Sequence, residues 1–171
     1  MFFRIPGASY VTNTFKSVPY VFVADDAFSL MPNMLKPFSK RHLTKEERIF
    51  NYRLSRARRM IENVFGILTT KWRILKTTIN TNVDLAENIV LATVSLHNWL
   101  RRSNEYMTPG LVDTENINGD FQPGSWRSDG DTLSDIQAIT GNSLQVAKDV
   151  RNNFANYFAK EGAVEWQNSK I

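Results

Sequence analysis

The chain has 171 residues, 42% of them hydrophobic and 12% aromatic, with a net charge of +4 and no cysteine. That length and composition suit one globular domain with a core of its own. Disulfides are excluded, and His42 and His97 alone remain as soft ligands, which argues against a structural zinc site but leaves an oxygen-ligated Mg²⁺ or Mn²⁺ site open.

No apolar run approaches the roughly 20 residues of a membrane span. The N-terminal MFFRIPGASYVTNTF has neither the apolar core nor the cleavage site of a signal peptide, so none is expected, and the absence of cysteine fits an intracellular protein. The charge is uneven. Residues 36–76 carry 12 Lys/Arg against 3 Asp/Glu, a local +9, while the remainder holds 9 basic and 14 acidic residues, a balance of −5. A cation so concentrated suits a polyanionic partner, of which DNA is one.

In chain order, residues 1–18 are mixed. Pro19 to Ala24, PYVFVA, reads as a short buried strand ending in the acids Asp25 and Asp26. Pro32 and Pro37 mark an extended or turned connection. Thr44-Lys-Glu-Glu47 is a capping box and starts a helix. Phe50, Leu54, Ala57, Ile61, Val64, Phe65, Leu68 and Trp72 follow as one apolar stripe, with Gly66 as the only breaker.

A second helix is predicted from about Val83 to Arg102, apolar on several faces and so mostly buried. Residues 103–142 hold five glycines, two prolines and, after residue 110, six acids against the single Arg127; they read as a disordered acidic loop. A third helix is predicted over Ser143 to Lys160, with Leu144, Ala147, Val150, Phe154 and Phe158 as its stripe. The expected organisation is thus 1–102, the loop 103–142, and a helix and tail over 143–171.

Glu62 is an isolated acid in a basic helix, beside the apolar stripe. An acid in a basic field can hold a metal against a phosphate backbone. It can equally pair with Arg58 or Arg59 one turn back. Asp25 has the same two readings, since an acid also ends a strand and opens a turn. Periodicity does not choose between Asp25 and Asp26. There is no glycine-rich phosphate loop and no thiol nucleophile, and His97 reads as a satisfied core histidine.

Three segments, PYVFVADDAFSLMPNMLKPF, LTKEERIFNYRLSRARRMIENVFGILTTKWRIL and ENIVLATVSLHNWLR, resemble the C-terminal half of the Harbinger-type transposase nucleases, and VRNNFANYFAKEGAVEWQ resembles their end. The resemblance covers about 19–102 and 144–167. It implies an α/β, partial RNase H-like fold, mostly helical here with one or a few N-terminal strands. It also implies two Asp and one Glu that bind two divalent ions, Mg²⁺ or Mn²⁺, for hydrolysis of DNA phosphodiesters.

The family's Gly-Asp-x-x-Phe/Tyr pattern matches Ala24-Asp25-Asp26-Ala27-Phe28, and its Ile-Glu-Asn/Arg-x-Phe-Gly pattern matches Ile61 to Gly66. By that match Asp25 and Glu62 are the catalytic and metal-binding acids. Charge and spacing make Arg53, Arg56, Arg58 and Arg59 the candidates for DNA phosphate contact. The first Asp has no counterpart, because residues 1–24 contain no Asp or Glu. The expectation is a fragment of the domain with little or no cleavage of its own; the alternative is a non-catalytic basic helical module. A nuclear location, a Myb-like DNA-binding partner and self-association complete what the resemblance and the incomplete sheet imply.

Overall fold

The computed structural model describes residues 5–7, 9–10, 17–103, 105–129 and 143–171. Its elements are β1 (Ser9–Tyr10), β2 (Ser17–Val18), β3 (Phe22–Val23), β4 (Met34–Leu35), α1 (Lys45–Lys71), α2 (Val83–Leu100), β5 (Thr114–Glu115), β6 (Phe121–Gln122) and α3 (Gln145–Ala159), with short 3-10 turns between and after them. It is a mixed helix and strand structure in which the strands form three separate two-stranded pairs. β3 and β4 are parallel, with Phe22 opposite Met34; the other two pairs are antiparallel.

The chain divides into two compact units, residues 1–58 with 135–171, and residues 59–134. In the first unit Leu30, Leu35, Phe38, Phe50, Leu54, Ala147 and Ala155 form the core. The α3 stripe supplies Val150, Phe154 and Phe158 to it as predicted, whereas Leu144, just before the helix, is exposed. Asn51 clamps the Pro37 bend by accepting from the Phe38 N–H at 2.8 Å and donating to its carbonyl at 2.9 Å. In the second unit Ile67, Tyr106 and Leu111 are buried, with Leu100, Met107, Val112 and Trp126 against them.

The capping box is formed as read: Glu47 N–H donates to Thr44 Oγ1 at 3.3 Å and Thr44 N–H donates to Glu47 Oε2 at 2.9 Å. The stripe of α1 is not continuous. Ile49, Phe50 and Leu54 are buried in its first half and Ile67 and Leu68 in its second, while Ala57, Ile61 and Phe65 between them are exposed. The helix supplies two cores in turn, and its middle serves neither.

Three expectations change. β3 is not buried: Tyr20, Phe22 and Val23 are exposed, while Ala24 at its end is covered and Val21 packs partly on the core; among the described residues β4 is the one strand beside it. α2, capped by Asn82, buries only Thr93 and His97 rather than most of its apolar residues. Apolar content sets the capacity for burial, and no described element packs on the rest of its surface. The stretch 105–129, expected as a disordered loop, forms the β5–β6 hairpin and a 3-10 turn at Ser125–Asp129; residues 130–142 lie outside the described residues. Short turns fix the hairpin: Asn116 Oδ1 accepts from the N–H of Asn118 and of Asp120, both at 2.9 Å, and Gly119 takes a positive φ of 77°.

Candidate functional site

Asp25 follows β3 at the turn that leads to β4. Its Oδ1 accepts the Ala27 N–H at 3.0 Å, the turn-forming bond typical of aspartate. Its Oδ2 lies 3.5 Å from a guanidinium nitrogen of Arg58 on α1. Asp26 behaves differently, since Lys36 Nζ is 2.9 Å from its carboxylate and donates to its carbonyl at 2.7 Å. Asp25 thus makes the turn-forming bond and meets Arg58 of α1, whereas Asp26 pairs with Lys36.

Glu62 is surrounded by the second unit, in which residues 111–127 dock on α1. Asn63 holds the dock: its Oδ1 accepts from the Asp113 N–H at 2.8 Å and from Trp126 Nε1 at 2.9 Å. The Trp126 indole lies where a Cβ on residue 66 would stand, so Gly66 is required by close packing rather than by a bend. Arg127 then reaches the motif glutamate. Its Nε and one terminal nitrogen grip the Asp113 carboxylate at 2.9 and 2.6 Å, and that same terminal nitrogen lies 3.5 Å from Glu62 Oε2.

Burial would raise the Asp113 pKa, but hydrogen bonds from Arg127 and the Gly124 N–H, with the charges of Arg127 and Arg59, hold it below the ordinary value. The Asp113 hydrogen bond raises Arg127 in turn, against the effect of burial.

The four arginines divide. Arg53 turns inward, donating to the Gly162 carbonyl and to Gln167 Oε1, both at 3.2 Å, with its guanidinium 4.8 Å from the Phe158 ring centre; burial lowers its pKa. Arg59 pairs with Glu115 at 3.0 Å and lies against Phe121. Arg56 stacks on Trp166 at 4.4 Å, and Arg58 meets Asp25. All four thus have partners within the fold.

A family profile described as DDE superfamily endonuclease matches residues 6–98. The chain belongs to that family. No curated protein and no solved structure matches it. The matched span of this DDE endonuclease chain contains Asp25, Glu62 and all of α1.

The family typically uses divalent metals. A pair of such ions needs several carboxylate oxygens converging on one point. Among the described residues no three His, Asp or Glu side chains gather in that way. Asp25 and Glu62 belong to different units, and each has an arginine at its carboxylate. Within neither unit, taken by itself, do the described residues gather the carboxylate set of a two-metal centre.

Sequence reasoning missed Asn63, Asp113, Trp126 and Arg127. The available signal was Arg127 itself, the one cation in an acidic stretch. His97 was read correctly: it is buried, its Nδ1 lies 2.9 Å from the Tyr106 hydroxyl, and burial, then the Arg101 charge, lowers its pKa.

Proposed function

We propose that this chain is a Harbinger-type DDE endonuclease domain with an RNase H-like core, that Asp25 and Glu62 are its metal-directed acids, and that the chain alone binds DNA with little or no cleavage. The family match over both acids carries this reading. The basic segment 36–76 supports DNA as the polyanion, with Arg56 and Arg58 as candidates for phosphate contact. Neither acid belongs to a group of three His, Asp or Glu among the described residues, which supports weak Mg²⁺ or Mn²⁺ binding. A nuclear location and a Myb-like partner belong to the same proposal.

The test is DNA binding and nicking by the purified chain with Mn²⁺, beside Asp25→Asn and Glu62→Gln. Salt-sensitive binding, weak Mn²⁺ uptake that falls in either variant, and no appreciable nicking are expected. Mn²⁺ uptake unchanged in both variants overturns the role of the acids and leaves the non-catalytic basic module. Nicking that survives both variants overturns it as well.

A further inference from the structure

The contacts that place Arg127 beside Glu62 are mostly made with other residues. Arg127 Nε donates to Asp113 Oδ1 at 2.9 Å and to Oδ2 at 3.1 Å, and its Nη2 donates to Oδ2 at 2.6 Å. Asp113 is a firm anchor: its side chain is 2% exposed, and its Oδ1 also accepts the Gly124 N–H at 2.8 Å. The guanidinium lies 4.4 Å from the Trp126 ring centre and 5.5 Å from that of Phe121. Trp126 is itself tied to Asn63 and lodged against Gly66. The contact with Glu62, at 3.5 Å between side chains 36% and 33% exposed, is the longest of the set.

The dependence therefore runs one way. Arg127 has its place without Glu62, whereas Glu62 meets a fixed positive charge whenever residues 111–127 are docked on α1. A second cation brought to that carboxylate is repelled at short range, in a part-buried setting that salt screens incompletely. The docking is also the part of this unit suited to open. β5 and β6 are two residues each, too short to hold a hairpin together in water, so their order depends on the contacts with α1.

We infer that Arg127 is a built-in counter-cation that keeps Glu62 from taking a divalent ion, and that undocking of residues 111–127 from α1 releases the block. The inference rests on Glu62 being a metal-directed acid. It lies within one compact unit, which holds Glu62, Asp113 and Arg127 together. The apparent affinity of Glu62 for an ion is then its intrinsic affinity scaled by the undocked fraction.

Mn²⁺ titration of the purified chain, followed by electron paramagnetic resonance of the free ion, tests this without DNA or turnover. Arg127→Gln removes the charge and keeps an amide that can donate to Asp113; it should tighten Mn²⁺ binding about tenfold. Adding Glu62→Gln should abolish that gain. Asn63→Ala touches no charge and should tighten binding too, in step with faster amide exchange across residues 111–127. Unchanged affinity in Arg127→Gln, with parent uptake still dependent on Glu62, overturns the block and leaves Glu62 as a metal-directed acid. A gain that survives Glu62→Gln assigns the ion to another acid and overturns the block as well. Faster exchange in Asn63→Ala without tighter binding overturns release by undocking. Uptake independent of Glu62 in every variant overturns both the block and the reading beneath it.

Discussion

Asn63→Ala should loosen the hairpin and not merely trim a surface amide. Two donors, the Asp113 N–H at 2.8 Å and the Trp126 indole N–H at 2.9 Å, converge on one oxygen, and Asn63 Nδ2 adds a longer bond to the Asp113 carbonyl at 3.4 Å. A buried donor left without an acceptor costs about 1–3 kcal/mol. The site is part-buried, so water recovers some of this, and a loss of about 2–3 kcal/mol is expected. Trp126→Phe removes one of the two donors in advance. Its combination with Asn63→Ala should therefore cost about 1 kcal/mol less than the separate losses together. Urea unfolding reads the global part, and amide exchange across residues 111–127 reads local undocking. A loss under about 0.5 kcal/mol, with unchanged exchange in that segment, would refute the claim that Asn63 holds the hairpin.

Gly66→Ala places a methyl group in the Trp126 indole and should destabilise by about 1–3 kcal/mol, an effect that Trp126→Ala relieves in a thermal melt. Arg53→Ala should cost about 1–3 kcal/mol through lost contacts to Gly162, Gln167 and Phe158 while leaving DNA affinity in filter binding almost unchanged; Arg56→Ala and Arg58→Ala should weaken that affinity. His97 has a folded pKa below its unfolded value, so the unfolded chain takes up a proton that the native chain does not. Stability should fall as pH drops through about 6.5, and a urea midpoint equal at pH 8 and pH 5 would contradict it. Asp113 is also depressed. Its contribution is present above about pH 4 and lost as pH falls through its folded value, which Asp113→Asn should abolish in an acid titration followed by Trp126 fluorescence.

Local chemistry was the legible part of this fold. The Thr44–Glu47 box and the α3 stripe read directly, because each depends on residues within a few positions of one another. The hairpin did not read. Its strands are two residues long, and what holds it is a set of side chains on α1, some 50 residues away in sequence. Exposure on α2 did not read either, since an apolar residue carries no mark of whether a neighbour exists to cover it. For the site, the motif match nominated Asp25 and Glu62, yet their surroundings depend on which arginine reaches each one. Spacing on a helix could not reveal that Arg53 faces Gln167 or that Arg127 reaches Glu62.

The order of core residues along the chain has a consequence for synthesis. Ile67, Tyr106, Leu111 and Trp126 have all been made before α3 begins, so the second unit can close while the ribosome is still at work. The first cannot. Phe50 and Leu54 wait for Ala147 and Ala155, some hundred residues later. A product ended early, before residue 143, would keep its hairpin and leave Phe50 uncovered, and it is that species which chaperones and proteases should find.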